Sequence, residues 1–249
     1  MNNPIIKINN LNVTFGKKQV LKNINLQIYP STINVFIGRS GSGKTTFLRS
    51  LNRLNEELGA KISGEIFINF RDRCINVLDP KTNLPLLRRK VGMVFQTPNL
   101  LPGSIAPNIL LPLKLIFNYN REKQRQKMVK ALKKVYLWDE VKNRLNAPAN
   151  TLSGGQQQRL CLARIIALGP EILLLDEPTA SLDLHSANKI ENLILQLKKR
   201  YTILIVSHSL SQAKKLADHL FIFRDGQIIK EYHTSNKINK KMEEIIEFF

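Results

Sequence analysis

INVFIGRSGSGKTTFL, residues 33–48, leads an apolar segment into a glycine-rich loop and then into a helical pattern. The eight residues Gly38, Arg39, Ser40, Gly41, Ser42, Gly43, Lys44 and Thr45 fit GxxxxGK[ST] at every fixed position, in the strand–loop–helix context the motif needs. Glycines let the backbone wrap closely around a polyphosphate with successive N–H groups pointing inward. The helix that follows, entered at Thr46, adds unpaired N–H groups. Lys44 supplies a cation to the β- and γ-phosphates, and the Thr45 hydroxyl is placed to ligate Mg²⁺. A glycine-rich turn between strand and helix can be only a turn; Lys-Thr after an apolar strand makes it a nucleoside-triphosphate site.

Working outward, ILLLDEP, residues 172–178, is a continuous apolar run ending in two carboxylates, the pattern of a strand buried on both faces of a parallel sheet. Such a strand's C-terminal end is where ligands bind in these folds. Asp176 is therefore the expected Mg²⁺ partner, and Glu177 the expected base for an attacking water. A third stretch, LSGGQQQR at 152–159, places Ser153, Gly154, Gly155 and Gln156 at the start of a helix, another anion-binding end.

Elsewhere strands and helices alternate, which argues for a mostly parallel α/β core. IIKINNLNVTFG reads as a strand pair ending at Phe15 and Gly16, and INLQIYP as a further strand. TTFLRSLNRLNEEL reads as a helix with Phe47, Leu48, Leu51 and Leu54 on one side. EIFINF is a short strand, and LLRRKVGMVFQ holds a strand ending at Gln96. From Thr97 to about Ile166 the pattern is helical. Arg121 to Lys134 forms a basic-faced amphipathic helix whose apolar side continues through Val135 and Tyr136. Helices are expected over HSANKIENLILQLKKR and SLSQAKKLADH, strands over TILIVSH, LFIFRDG and QIIKEY, and a closing helix through Ile238, Met242, Ile245, Ile246 and Phe249.

Composition narrows the class. The chain has 249 residues, 43% of them hydrophobic, with no low-complexity tract, so it should fold throughout. No apolar run approaches the roughly 18 residues of a bilayer span; ILLPLKLIF is broken by Pro112 and Lys114, and MNNPIIKINN carries no signal pattern. Cys74 and Cys161 offer neither metal spacing nor a disulfide framework. All of this suits a cytosolic protein. The formal charge of +19, from 38 Lys+Arg against 19 Asp+Glu, would suit nucleic acid or an anionic membrane face. The basic residues are dispersed and lack interleaved aromatics, so no nucleic-acid partner is expected.

Taken in order, GRSGSGKT, Gln96, LSGGQ, ILLLDEP, SLD at 181–183 and SH at 207–208 resemble the ATP-binding subunit of ABC transporters over essentially the whole chain. The resemblance implies one ABC ATPase domain over residues 1–249. Its fold would be a P-loop NTPase core with a mostly parallel sheet, an antiparallel β subdomain and an inserted α-helical subdomain at about 97–166. It also implies a head-to-tail homodimer enclosing two ATP molecules, in which Ser153, Gly154, Gly155 and Gln156 cap the γ-phosphate held by a second copy. Phe15 would stack on adenine, where the family usually has tyrosine. Gln96 would contact Mg²⁺ and the attacking water, His208 the γ-phosphate, and Asp183 would couple the two sites. ATP and Mg²⁺ are the implied cofactors.

The variable parts are more specific. Residues 50–66, 87–105 and 137–164 look like the corresponding segments of bacterial phosphate-import ATPases. Departures are the stretch 106–120, the end of the chain, and Leu184, where proline is common after the aspartate. That resemblance implies inorganic phosphate uptake, transmembrane permease subunits, an indirect substrate-binding protein, and a peripheral position on the cytoplasmic face of the inner membrane. The rival readings are the ATPase of an exporter or of a lipid or lipoprotein trafficking system, and a non-transport ATPase of the same superfamily.

Overall fold

The computed structural model describes residues 3–233, and the expected closing helix at 238–249 lies outside them. Two sheets are stacked. The smaller one joins β1 (Ile6–Phe15), β2 (Lys18–Ile28), β4 (Ala60–Asn69) and β5 (Cys74–Asn76) in the order β2-β1-β4-β5, all antiparallel. The larger one joins β3 (Ile33–Ile37), β6 (Val91–Val94), β7 (Ile172–Asp176), β8 (Thr202–Val206), β9 (His219–Arg224) and β10 (Gln227–His233) in the order β10-β9-β3-β8-β7-β6. Its pairings are parallel except for β10 on β9.

Every residue of β3, β7 and β8 is buried, so these strands have no polar face to show. Alternate residues serve two cores. Phe36, Leu174, Leu204, Phe221 and Phe223 face α1 (Lys44–Ser50) and the antiparallel sheet; Val35, Ile37, Leu173, Leu175, Ile203 and Ile205 face the helices. Those helices are α3 (Pro107–Ile116), α4 (Arg121–Lys134), α5 (Trp138–Val141), α6 (Gly154–Ala167), α7 (Leu184–Leu197) and α8 (Leu210–Leu216). The Asp225-Gly226 turn between β9 and β10 takes φ of 49° and 82°, the left-handed pair that a two-residue hairpin requires.

Several local readings change. Residues 6–15 form one strand rather than a pair, bent at Asn10 (φ 50°), where the register with β4 shifts between Asn9 and Asn12. The helix expected through Leu58 stops at Ser50. Asn55 Nδ2 donates to the Thr46 carbonyl at 2.7 Å, and the Ser50 hydroxyl donates to the same carbonyl at 2.8 Å. These polar side chains satisfy the backbone without another helical turn. Lys90 closes α2 (Leu84–Lys90), a helix the strand reading of LLRRK overlooked although Asn83 caps it and Pro85 sits in its first turn. Tyr136 lies past α4 at φ 53° and is 64% exposed, so it is not on that helix's buried face.

Candidate functional site

Register brings the chemistry to one edge. Phe36 of β3 pairs with Val206 of β8, and Val206 pairs with Asp176 of β7. The C-terminal ends of three adjacent parallel strands are thus level, and Gly38, Glu177 and His208 come just beyond them. Two backbone bonds hold this edge together: Ser207 N–H to the Phe36 carbonyl at 3.0 Å and Glu177 N–H to the Val206 carbonyl at 3.0 Å.

The loop is built as the motif demands. Gly38 at φ 148° runs so close to β9 that a Cβ there would lie 2.1 Å from the Phe223 carbonyl oxygen. Gly43 at φ 105° packs against β2, where a Cβ would meet Leu21 at 2.8 Å. The hairpin turn clamps the loop through Gly226 N–H to the Ser42 carbonyl at 3.0 Å. Lys44 is buried and folds back, its Nζ donating to the carbonyls of Gly38 (2.7 Å) and Arg39 (2.8 Å). Burial lowers its pKa, while the charges of Glu177 and Asp176 act the other way. Neutral carbonyls leave most of that cation's field for an incoming anion.

Facing the loop, the Thr45 hydroxyl donates to Asp176 Oδ1 at 2.8 Å. Burial pushes the Asp176 carboxyl above its ordinary range, against the opposing effects of Thr45, Arg49, Lys44 and His208. A hydroxyl beside a poorly solvated carboxylate is a hard oxygen pair, the donor chemistry that suits Mg²⁺. The donor set and the glycine cradle therefore fit a magnesium–nucleotide.

Glu177 is held at φ 46°, a left-handed backbone unusual for a glutamate and the kind of strain that collects at working sites. Its Oε1 lies 2.6 Å from His208 Nε2, with Glu177 mostly shielded and His208 open to solvent. A shielded carboxylate bonded to a more open histidine at a sheet edge has the chemistry to activate a water beside a bound anion.

Gln96 does not end its strand. β6 stops at Val94, which pairs with Leu175, and Gln96 lies two residues further on, exposed. It is at the same sheet edge as Glu177. The chain there is tied to the helical layer: Gln158 Nε2 of α6 donates to the Phe95 carbonyl at 3.1 Å, and an Arg164 guanidinium donates to the Asn99 carbonyl at 2.6 Å. Phe15 sits at the end of β1, partly buried against the sheet core.

Ser153, Gly154, Gly155 and Gln156 belong to the helical layer instead. Ser153 caps α6 in a reciprocal box: its Oγ accepts from Gln156 N–H, and Gln156 Oε1 accepts from Ser153 N–H. Gly155 is needed for packing, since a Cβ there would lie 3.0 Å from Ser186 of α7. Asp183 caps α7, accepting from Ser186 N–H at 3.0 Å. Motif reading missed the brace under this turn. Arg159 bonds Glu140 through both guanidinium nitrogens (2.7 and 3.1 Å) and the Tyr136 carbonyl (2.6 Å), and Gln156 Nε2 adds a bond to Glu140 at 2.8 Å. The only sequence signal was an arginine following LSGGQQQ, which has no partner in one dimension.

The chain is similar to known proteins over most of its length. The family described as ABC transporter matches residues 21–180. The phosphate import ATP-binding protein PstB 2 of Bacillus licheniformis is 44% identical, the match covering 97% of this chain and 88% of that protein. The phosphate import ATP-binding protein PstB of Ehrlichia ruminantium is 47% identical over 93% of this chain and 90% of its own. Among solved structures, cbiO1 from Clostridium perfringens, part of the transporter complex cbiONQ, superposes with a TM-score of 0.81 at 26% identity, covering 98% and 94% of the two chains. The ATP-binding cassette MJ0796, a dimer bound to ADP and Pi, gives 0.77 at 32% identity, covering 92% and 98%. With the glycine cradle, the Thr45–Asp176 pair and the Glu177–His208 pair at one sheet edge, the chain belongs to the ABC transporter family as an ABC-type ATPase.

Proposed function

We propose that this chain is the ATP-hydrolysing subunit of an importer of inorganic phosphate. The observation that carries the cargo is the relatives' identity, 43–47% over more than nine-tenths of the chain, with phosphate import in each of their names. That similarity includes segments that ATP chemistry does not require.

In this reading residues 38–46 and Phe15 hold ATP, Lys44 meets its terminal phosphates, and Thr45, Asp176 and Gln96 hold Mg²⁺. Mg²⁺ supplies charge neutralisation on the phosphates and orients them. Glu177 takes the proton from the attacking water, and His208, whose Nε2 holds Glu177 before nucleotide binds, turns to donate to the γ-phosphate. Ser153 to Gln156 cap the γ-phosphate of a second copy, with Asp183 linking the two sites; the dimeric MJ0796 structures support that arrangement.

No helix among the described residues is long and apolar enough to cross a membrane, so the channel belongs to partner subunits. The exposed Leu111, Leu115 and Ile116 of α3, just beyond the Gln96 segment, offer an apolar face for docking on them. Selectivity for phosphate then resides in those permeases and in a capture protein, and this subunit sits peripherally on the cytoplasmic face of the membrane.

The test is uptake of radiolabelled phosphate at low external concentration in a strain lacking this gene and any second phosphate importer. Uptake should be lost, restored by the wild-type gene and not by Glu177→Gln. Unchanged uptake would move the cargo elsewhere while leaving the ATPase standing.

A further inference from the structure

Four histidines occur in the chain, at 185, 208, 219 and 233. Two of them meet at the edge of the larger sheet, away from the nucleotide loop. His233 of β10 pairs directly across from His219 of β9, and cross-strand partners point to the same face. Glu231, two residues earlier on β10, shares that face by the period of a strand. One nitrogen from each histidine and one Glu231 carboxylate oxygen consequently lie within 4.8 Å of one another. The imidazoles approach Nδ1 to Nδ1 at 2.7 Å, and His233 Nε2 is 3.5 Å from Glu231 Oε1.

We propose that His219, Glu231 and His233 form a site for a divalent transition metal of the zinc class, which pins edge strand β10 to β9. Two imidazoles and a carboxylate are a donor set that zinc accepts, with a fourth position left for water. Bonds of about 2.0–2.1 Å in a tetrahedron put ligand atoms roughly 3.3–3.5 Å apart, so separations between 2.7 and 4.8 Å reach that geometry by side-chain rotation alone.

The site is separate from the ATP chemistry. His219 pairs with Asn34 at the start of β3, whereas Ile222 pairs with Ile37 just before the phosphate loop. Three strand steps between them amount to about 10 Å at ~3.3 Å per residue. What the metal would fix is the edge of the larger sheet, holding β10 against β9.

Isothermal titration of the full chain with Zn²⁺, without nucleotide, tests this. One site per chain is expected, weakened at least ~10-fold by His219→Ala, His233→Ala and Glu231→Gln, as loss of a ligand should be. Co²⁺ should give the visible absorption of tetrahedral coordination in wild type and lose it in the variants. His208→Ala must leave Zn²⁺ binding intact, because the Glu177–His208 pair is the competing place for a metal. Should His219→Ala fail to fold, exposed His233→Ala carries the test, with melting and Mg·ATP binding unchanged as controls. Absence of Zn²⁺ binding in wild type, affinity unchanged in His233→Ala, or loss in His208→Ala would each overturn the site.

Discussion

At the residue scale, the site is a set of groups kept slightly uncomfortable for a ligand's benefit. Asp176 is a buried carboxylate whose pKa is raised chiefly by burial. The native state therefore holds its proton more tightly than the unfolded chain does. The cost of the ionised form is relieved as pH falls through that raised pKa, and it is present at neutral pH. Asp176→Asn should raise the melting temperature of the nucleotide-free protein, by about 2–4 °C if the relief is ~1 kcal/mol, while Mg²⁺-dependent turnover disappears; an unchanged or lower melting temperature would count against the burial cost. For the same reason Mg²⁺ affinity in the wild type should begin to fall at a higher pH than for an exposed aspartate. Glu177→Gln should keep ATP binding and lose at least ~10²-fold in turnover, as a general base does. Lys44→Ala should instead weaken nucleotide binding directly, measured by titration with Mg·ATP. These residues were legible from the one-dimensional motifs, because their chemistry fixes their spacing. Phe15 was placed at a strand end by its pattern and given an adenine role only by resemblance, and Lys44's return to its own loop carbonyls had no sequence signal.

At the scale of elements, the strands were legible wherever burial on both faces made them continuously apolar, as in β3, β7 and β8. The parts that escaped were decided by polar side chains finding backbone partners. Asn55 and Ser50 end α1 early, and Asn83 starts α2, which runs into the stretch from Leu86 read as holding a strand. The brace between α5 and α6 is of that kind too. Burial alone would push Glu140 up, but bonds from Arg159 and Gln156 bring its carboxyl below the ordinary range. This contribution is present at neutral pH and lost as pH falls through the lowered folded value. Glu140→Gln should cost about 0.5–1 kcal/mol, the upper range for an ion pair this open to solvent, and loosen the turn at Ser153 without touching Lys44 or Asp176. Chemical denaturation, alongside unaltered ATP affinity of the isolated chain, checks both halves. Equal stability of wild type and variant would mean that the half-exposed pair is solvated rather than structural.

At the scale of the molecule, the residues proposed to act on ATP lie on two layers. Lys44, Asp176, Glu177 and His208 share the edge of the larger sheet, whereas Ser153 and Gly154 are exposed at the start of α6 with Gly155 packed on α7, and Asp183 caps α7. The Gln96 segment is bonded to α6 through Gln158 and Arg164, so the sheet edge and the helical layer are joined there. The resemblance already put Ser153 to Gln156 on a second copy's nucleotide; order along the chain does not say which layer presents that turn. The most direct measurement is sedimentation velocity of Glu177→Gln with and without Mg·ATP, beside the double variant Glu177→Gln/Ser153→Arg. Glu177→Gln should be monomeric alone and dimeric with nucleotide, while the double variant binds Mg·ATP equally well and stays monomeric. Dimers of the double variant at the same nucleotide concentration, or a Glu177→Gln protein that stays monomeric when saturated with ATP, would contradict a site shared between two copies.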